Sequence, residues 1–297
     1  MLVYLNGKIV PKEQAVVSVY DHGFLYGDGI FEGIRVYGGN IFRLDAHIAR
    51  LYDSAKALGL EIPLSTAEMS RAVVETVAAN GRPDIYIRLV VSRGPGDLGI
   101  DPAKCRSGPS IVIIVDGIAL YTDEVYEKGL ALVTSSVRRV PMDSLDPRVK
   151  SLNYLNNIMA KIEARNAGCS EAVMLNHAGR VAECTADNIF VVKNGTLKTP
   201  PLTEGALGGI TRAAVLELAA AAGIPATEAL LGLTDLYTAD ECFLTGTGAE
   251  LVPVTSVDGR GIGAGSAGPV SKRLLADFRR LRETDGTKVS FTAAMNT

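Results

Sequence analysis

Two hairpins in succession mark the stretch Ala172-Val173-Met174-Leu175-Asn176-His177-Ala178-Gly179-Arg180-Val181-Ala182-Glu183-Cys184-Thr185-Ala186-Asp187-Asn188-Ile189-Phe190-Val191-Val192-Lys193-Asn194-Gly195-Thr196-Leu197-Lys198. The first turn, at 176–179, follows a short apolar run, and Asn194-Gly195 is the strongest short signal for a hairpin. Strands joined by such short turns pair antiparallel, whereas a doubly wound nucleotide fold alternates strands with helices. The stretch therefore favours an α+β fold over a doubly wound one.

Helices and strands on either side of this stretch follow no regular βαβ order. An apolar stripe of helical period predicts a helix over 45–58 with Asp45 as its N-cap, and Ser65-Thr66-Ala67-Glu68 predicts a capping box that opens a second helix. We expect further helices over about 153–167, 210–222 and 269–282, and strands over 85–92, 111–115 and 130–137. Alternation in the strand 85–92 places Tyr86 and Arg88 on one face.

Length and composition indicate an ordinary globular protein of two domains. At about 150 residues per domain, 297 residues predict two domains. From the order of elements along the chain we expect a smaller N-terminal α/β domain over 1–120, a connection over 121–129 and a larger domain over 130–297. A net charge of −3, interspersed acids and bases and the lack of tryptophan disfavour a nucleic-acid partner. No apolar run approaches the roughly 18 to 20 residues that cross a membrane, and the N-terminus does not resemble a signal peptide. We therefore expect a cytoplasmic protein without a membrane partner.

Metal and anion sites are judged from the spacing of polar residues. The four cysteines and three histidines show no ligand-like spacing, so no metal site is expected. The turn Gly205-Ala206-Leu207-Gly208-Gly209-Ile210-Thr211 opens a helix, where free N–H groups favour an anion, but pattern alone favours a flexible turn capped by Thr211 over a phosphate site. Thr245-Gly246-Thr247-Gly248 is either a second anion site or a tight turn. From pattern alone, Lys150 is a solvated lysine and Glu183 an exposed turn carboxylate.

Six motifs in collinear order change this interpretation, because together they resemble the fold-type IV pyridoxal-phosphate enzymes, most closely the branched-chain amino-acid aminotransferases. The motifs span nearly the whole chain and are Tyr26-Gly27-Asp28-Gly29-Ile30-Phe31-Glu32-Gly33-Ile34-Arg35, Phe42-Arg43-Leu44-Asp45-Ala46-His47-Ile48-Ala49-Arg50-Leu51-Tyr52-Asp53-Ser54-Ala55, Lys150 to Tyr154, Glu183 to Phe190, Gly208-Gly209-Ile210-Thr211-Arg212 and Thr245 to Glu250. The resemblance implies an α+β chain of two domains with mixed and antiparallel sheets, and pyridoxal 5′-phosphate as the cofactor.

The resemblance implies roles for the residues that hold the cofactor. Lys150 would form the Schiff base and then act as the base that moves a proton between Cα and C4′. Glu183 would pair with the protonated pyridine nitrogen. The phosphate would be bound by Arg50, the Gly209-Ile210-Thr211 turn and the Thr247 hydroxyl. Tyr154, a helical neighbour four residues from Lys150, would contact O3′, and Leu207 would pack on the ring face.

The resemblance also implies a substrate pocket. It would be largely apolar and lined by Tyr26, Phe31, Gly33, Tyr86 and Tyr121, with backbone groups of Thr247 and Gly248 for the α-carboxylate. Arg88 would bind the γ-carboxylate of glutamate. The expected partners are amino acids and 2-oxo acids, and the expected reaction moves the amino group of leucine, isoleucine or valine to 2-oxoglutarate with ping-pong kinetics.

The same residues are also compatible with other functions. Related D-amino-acid aminotransferases and aminodeoxychorismate lyases use the same lysine, carboxylate and phosphate site, and a noncatalytic pyridoxal-phosphate-binding protein could keep the fold without turnover. In this fold type the cleft lies between two domains, and a loop of a neighbouring subunit commonly completes it. The resemblance therefore implies a homo-oligomer, at least a dimer.

Overall fold

The computed structural model of this chain describes residues 1–117 and 121–291. They group into two units, the first drawn from Met1–Ile118, Val149–Asn153 and Arg282–Thr297 and the second from Ala119–Arg148 and Tyr154–Leu281. The expected domain end at residue 120 and the last six residues of the expected domain 130–297 lie outside the described residues. The expected boundaries stay a prediction.

Strands and helices are numbered here in chain order. The strands are β1 Leu2–Leu5, β2 Lys8–Pro11, β3 Gly29–Tyr37, β4 Asn40–Phe42, β5 Ile85–Ser92, β6 Ser110–Asp116, β7 Leu130–Thr134, β8 Glu171–Leu175, β9 Val181–Cys184, β10 Asn188–Lys193, β11 Thr196–Thr199, β12 Ala226–Glu228, β13 Glu241–Gly246, β14 Glu250–Val257, β15 Arg260–Gly261 and β16 Gly286–Lys288. The helices are α1 His22–Tyr26, α2 Leu44–Ala57, α3 Thr66–Asn80, α4 Asp123–Lys128, α5 Leu155–Asn166, α6 Ile210–Ala221, α7 Leu233–Tyr237 and α8 Pro269–Leu281.

The first unit is built on an antiparallel sheet of seven strands in the order β16-β4-β3-β5-β6-β1-β2. Strand β5 has the predicted bounds, and its residues Ile85, Ile87, Leu89 and Val91 are buried while the residues Tyr86, Arg88 and Val90 between them are half-buried. The buried face forms one apolar core with the inner sides of α2 and α3. The opposite face carries Tyr86 and Arg88, as the alternation predicted.

The second unit is built on a mixed sheet of nine strands in the order β12-β11-β10-β13-β14-β7-β8-β9, with β15 paired to β14. Strand β7 lies parallel to both of its neighbours, β14 and β8. The predicted hairpin at Asn194-Gly195 joins β10 to β11, and both turn residues have positive φ, 50° and 75°. One antiparallel sheet and one mixed sheet with flanking helices confirm the expected α+β class.

Several predicted ends differ from the observed ones for physical reasons. Asp45 does not cap α2, because the helix already begins at Leu44 after Arg43, whose φ of 46° is left-handed. The predicted capping box of α3 is present, and that helix continues to Asn80. Strand β7 ends at Thr134 and not at 137, since the backbone N–H of Ser136 donates to the Glu163 carboxylate at 2.7 Å.

The expected connection over 121–129 contains helix α4. Residues 149–153, part of the expected second domain, group with the first unit because they pair with β3. Likewise, β16 adds to the first unit's sheet beside β4. Within the described residues, the structure contains no helix that combines the length and the apolar character of a membrane span.

Candidate active site

The segment that carries Lys150 pairs with β3 through an isolated antiparallel β-bridge between Ser151 and Ile30. The Lys150 carbonyl accepts from the Phe31 N–H at 3.0 Å, and the Leu152 N–H donates to the Gly29 carbonyl at 2.9 Å. The Lys150 N–H also donates to the Ser54 hydroxyl at 3.2 Å. Its ammonium lies 4.5 Å from the centre of the Phe31 ring, and the residue is half-buried. Lys150 is therefore held by backbone pairing and is not the solvated lysine that pattern alone suggested.

A buried ion pair involves Glu32, the residue that follows Phe31 on strand β3. Glu32 is fully buried, and both of its carboxylate oxygens accept from the Arg50 guanidinium at 2.7 Å. The Nδ1 atom of His47 lies 2.7 Å from the same carboxylate. Both Arg50 and His47 are on α2, so three side chains tie this helix to the sheet. Arg50, the residue expected to bind phosphate, is thus fixed by a bidentate partner.

These contacts change the proton affinities of the groups. Burial would raise the pKa of Glu32, but the charges and hydrogen bonds of Arg50 and His47 outweigh burial and lower this pKa to about 2. Burial also lowers the pKa of His47 from its usual 6.5. The imidazole is therefore neutral near pH 7, and its Nδ1–H donates to Glu32.

We expect this group to make the protein sensitive to acid. With both pKa values lowered in the folded state, the unfolded chain binds more protons, so the free energy of unfolding falls below pH 6.5 through His47 and below pH 4.5 through Glu32. Glu32→Gln should lower the free energy of unfolding near pH 7 by about 3–5 kcal/mol, because it leaves Arg50 without its anion. Urea unfolding of both proteins between pH 7 and pH 3 measures this.

The same experiment contains its own check. The difference between wild type and Glu32→Gln should shrink as the pH falls below 4.5, because the unfolded wild-type chain then binds a proton at Glu32 while the folded protein, with this pKa at about 2, does not. A difference that stays constant down to pH 3 would contradict the ionised state of Glu32.

An aromatic and cationic face surrounds Lys150 in the first unit. Gly33 on β3 lies directly opposite Arg88 on β5, so Phe31, Gly33 and Arg88 share one face of the sheet. The Arg88 guanidinium lies 4.6 Å from the centre of the Phe31 ring and 5.5 Å from that of Tyr86. A Cβ atom on residue 33 would lie 2.0 Å from the Tyr86 hydroxyl, so a larger residue here would displace this tyrosine from its position. The structure thus brings together four predicted substrate residues and Lys150.

Tyr26 has different neighbours within the first unit. It ends α1, is exposed, and its hydroxyl accepts from the backbone N–H of Gly99 at 2.9 Å. Its ring packs edge-on against His22, with centroids 5.0 Å apart. The side chain therefore contacts the loop after β5 and not the Phe31 group in the contacts that the structure describes.

Glu183 is the centre of a polar cluster in the second unit. It lies on strand β9 and is buried, so it is not the exposed turn carboxylate that pattern alone suggested. One oxygen accepts from Arg139 Nε at 3.0 Å and Nη2 at 2.8 Å, and the other from the Leu207 N–H at 2.9 Å and Asn188 Nδ2 at 3.2 Å. Both oxygens of this buried carboxylate therefore accept N–H hydrogen bonds, and one of them contacts a guanidinium.

The glycine-rich turn lies next to this carboxylate and leads into α6. Gly209, not Thr211, is the N-cap of α6, and no side chain caps the helix. The first N–H groups of a helix have no partner within it, so those of Ile210 and Thr211 are available to an anion. A Cβ atom on residue 209 would lie 2.1 Å from Asn188 Oδ1, so a larger residue here would displace the Asn188 amide.

The remaining predicted residues are also in the second unit. Thr247 and Gly248 lie in the turn between β13 and β14 and are half-buried. Tyr154 is the residue before α5, so it is not a helical neighbour of Lys150 as the spacing suggested, because Lys150 lies on the extended segment. Tyr121 packs against the unit's core, and burial raises the pKa of its hydroxyl.

Sequence reasoning assigned no role to five polar residues that build these clusters. Glu32, His47 and Asn188 stand within quoted motifs, while Arg139 and Asn157, whose Oδ1 accepts from Arg139 Nη1 at 3.0 Å, do not. Arg139 is buried and its neighbour Arg138 is exposed, and the sequence contains no signal that tells the two apart. Among the residues that the structure describes, no group of histidine, cysteine and acidic side chains could hold a metal.

Comparison with known proteins agrees with this geometry. Residues 29–257 match the family model described as amino-transferase class IV. The chain is 37% identical to the branched-chain-amino-acid aminotransferase of Escherichia coli K12, over 93% of this chain and 91% of that protein. It is 53% identical, over 97% of this chain and 99% of the other, to a Methanocaldococcus jannaschii protein provisionally named as such an enzyme.

Solved structures give the same result. A T.th. branched-chain amino acid aminotransferase with pyridoxamine 5′-phosphate is 37% identical and has a TM-score of 0.93, covering 97% of this chain and 98% of that one. The same enzyme complexed with N-(5′-phosphopyridoxyl)-L-glutamate has a TM-score of 0.91 at 36% identity, with the same coverage. The likeness expected from the six motifs is confirmed, and the chain belongs to the class IV aminotransferases, among the branched-chain amino-acid aminotransferases.

Proposed function

We propose that this enzyme transfers the amino group of leucine, isoleucine or valine to 2-oxoglutarate, with pyridoxal 5′-phosphate as its cofactor. The observation that carries the proposal is the arrangement around Phe31. Its ring has the Lys150 ammonium at 4.5 Å and the Arg88 guanidinium at 4.6 Å. An apolar wall beside a reactive amine suits a branched side chain, and a guanidinium on the same wall suits the second carboxylate of glutamate.

The residues present fit the cofactor. Lys150 offers an amine, and Glu183 offers a buried anion. The helix α6 begins with uncapped N–H groups after a glycine that packs against Asn188. Pyridoxal phosphate, when bound, supplies an aldehyde for amines and an electron sink for the charge that develops at the substrate α-carbon. The amine, the anion and the N–H groups match the aldehyde, the ring nitrogen and the phosphate of the cofactor, respectively.

The predicted site residues are assigned the following tasks. Lys150 Nζ would take the proton from the substrate Cα, deliver it to C4′ of the cofactor and carry it back in the reverse half-reaction, and Glu183 would hold the ring-nitrogen proton. We assign the phosphate to Arg50, the N–H groups of Ile210 and Thr211, and the Thr247 hydroxyl. Tyr154 is assigned to the ring hydroxyl and Leu207 to the ring face. The substrate residues are Tyr26, Phe31, Gly33, Tyr86, Arg88 and Tyr121, with backbone groups of Thr247 and Gly248.

A spectrum of the purified protein tests the activity. With no oxo acid present, addition of L-leucine should bleach the visible band of the bound cofactor, and D-alanine should leave the band unchanged. Bleaching by D-alanine alone would move the function to D-amino acids while keeping the roles of Lys150 and Glu183. A spectrum that neither amino acid changes, in a protein loaded with cofactor, would favour a lyase or a noncatalytic protein. Release of pyruvate without an oxo acid identifies the lyase.

Arg88 should determine the use of the acidic acceptor. Arg88→Leu is expected to lower kcat/KM for 2-oxoglutarate by roughly tenfold to hundredfold, the size of one lost hydrogen bond to a charged group, with a much smaller change for 2-oxoisocaproate. Steady-state kinetics with L-valine as donor measure both acceptors in one variant. An equal loss for the two acceptors would refute the carboxylate role of Arg88.

We also propose a homodimer in the cytoplasm. Helix α5 exposes Leu155, Ile158, Met159 and Ile162 along one stripe, and the first unit exposes Phe24 and Ile100. Exposed apolar groups in such number are typical of an interface. All four cysteines are free thiols, which suits a reducing compartment. Sedimentation velocity of the holoenzyme measures the oligomeric state, and a monomer at micromolar concentration would contradict the dimer.

A further inference from the structure

A buried guanidinium lies directly beside the proposed ring-nitrogen partner. Arg139 follows strand β7 and is 7% exposed. Its Nε and Nη2 atoms donate to one oxygen of Glu183, at 3.0 and 2.8 Å. The same Nε also donates to the Gly205 carbonyl at 3.2 Å, and Nη1 donates to Asn157 Oδ1 at 3.0 Å. Three elements of the second unit therefore fix this guanidinium in one orientation.

Asn157 is itself fixed, which makes the arrangement rigid. This residue is buried on α5, and its Nδ2 atom donates to the Thr185 carbonyl at 2.7 Å. Its orientation therefore leaves Oδ1 facing Arg139. The other oxygen of Glu183 accepts from Leu207 and Asn188. The carboxylate is held at both oxygens, and the Arg139 cation contacts the first of them.

The charge of Arg139 decides where a shared proton would lie. A carboxyl group and a pyridine nitrogen that share one proton form either an ion pair or a neutral pair. Burial disfavours charged forms, so an isolated buried pair tends toward the neutral arrangement, with the proton on oxygen. A permanent cation beside the carboxylate favours its ionised form and so leaves the proton on nitrogen.

We propose that Arg139 is a positioning residue that keeps Glu183 ionised and thereby holds the proton on the ring nitrogen of bound pyridoxal phosphate. This proposal rests on the proposed pairing of Glu183 with that nitrogen. It assigns Arg139 a catalytic consequence without contact with the reacting atoms. The protonated ring is the stronger electron sink, so the loss of Arg139 should slow the chemical step more than it weakens substrate binding.

The test measures the protonation state of the ring nitrogen directly. Holoenzyme is prepared with pyridoxal phosphate labelled with ¹⁵N in the ring, and the ¹⁵N chemical shift is measured for wild type, Arg139→Met and Arg139→Lys. We expect a protonated-ring shift for wild type, an unprotonated-ring shift for Arg139→Met, and recovery of the protonated shift in Arg139→Lys, which keeps the charge. For Arg139→Met, kcat with L-leucine should fall by about 100-fold with little change in KM.

Matched variants separate this role from a structural one. Lys161→Met removes a cation that lies 3.1 Å from another buried carboxylate of the second unit, Glu171, and should leave the ring shift unchanged. If Arg139→Met does not retain cofactor, Arg139→Gln replaces it, since that side chain is polar but uncharged. A protonated shift in the variant without charge would overturn the proposal for Arg139. An unprotonated shift in wild type would instead overturn the role of Glu183.

Discussion

Replacing Lys150 with alanine should lower the rate of amino transfer from L-leucine to 2-oxoglutarate by about 1,000-fold or more, because in the proposed function this one amine both binds the cofactor covalently and moves the proton. The fold should survive, since Lys150 is held by its backbone, through the Phe31 N–H and the Ser54 hydroxyl, and these contacts do not need the side chain. Steady-state kinetics measure the loss. Peptide mass after borohydride reduction should show the cofactor on Lys150 in wild type and no covalent cofactor in the variant.

Two control variants show whether the loss of activity is specific to the Lys150 amine. Lys150→Arg keeps a cation against the Phe31 ring but has no amine of the right reactivity, so it should lose as much activity as the alanine variant. Lys161→Ala removes a half-exposed lysine of the second unit and should leave the rate unchanged. A noncatalytic binding protein would show no amino transfer in any of these forms. Full activity of Lys150→Ala would refute the catalytic role assigned to Lys150.

Local patterns predicted the elements whose ends are determined by nearby residues. Strand β5 was found from strict alternation, and the capping box of α3 from four consecutive residues. The start of α2 was not found, because it depends on a residue far away in sequence. Arg43 is held in its left-handed conformation by Asp285, through a hydrogen bond to the carbonyl at 3.2 Å and an ion pair at 2.7 Å. Periodicity contains no information about such a contact.

The candidate site also contains features that the sequence predicted and features that it did not. The six motifs allowed its residues to be named, but composition and spacing alone described Lys150 as solvated and Glu183 as exposed. Burial of Glu183 follows from the pairing of β9 with β8 and from the approach of Arg139, 44 residues away. Such partners come together only in the folded chain. A charged residue that neutralises another inside the protein is therefore hard to predict from one sequence.

Glu183→Gln should lower kcat by about 100- to 1,000-fold while the protein still binds its cofactor. The amide keeps the size of the side chain but cannot stabilise a proton on the ring nitrogen as an anion does. It also leaves the buried Arg139 guanidinium without its counter-ion, so a lower thermal stability accompanies the kinetic effect. Stopped-flow measurement of the half-reaction with L-leucine gives the chemical rate, and cofactor titration of the apoenzyme gives the affinity.

The stability loss must be separated from the catalytic one, and Glu171 makes this possible. This carboxylate is also buried, on the neighbouring strand β8, and it accepts from the Ala172 and Thr185 N–H groups. Glu171→Gln should therefore cost comparable stability and leave the half-reaction rate nearly unchanged. If both variants lose the same activity, Glu183 acts through the fold alone. A specific loss in Glu183→Gln that Arg139→Met reproduces would instead show that carboxylate and guanidinium act as one unit, since removing either partner then has the same effect on the ring proton.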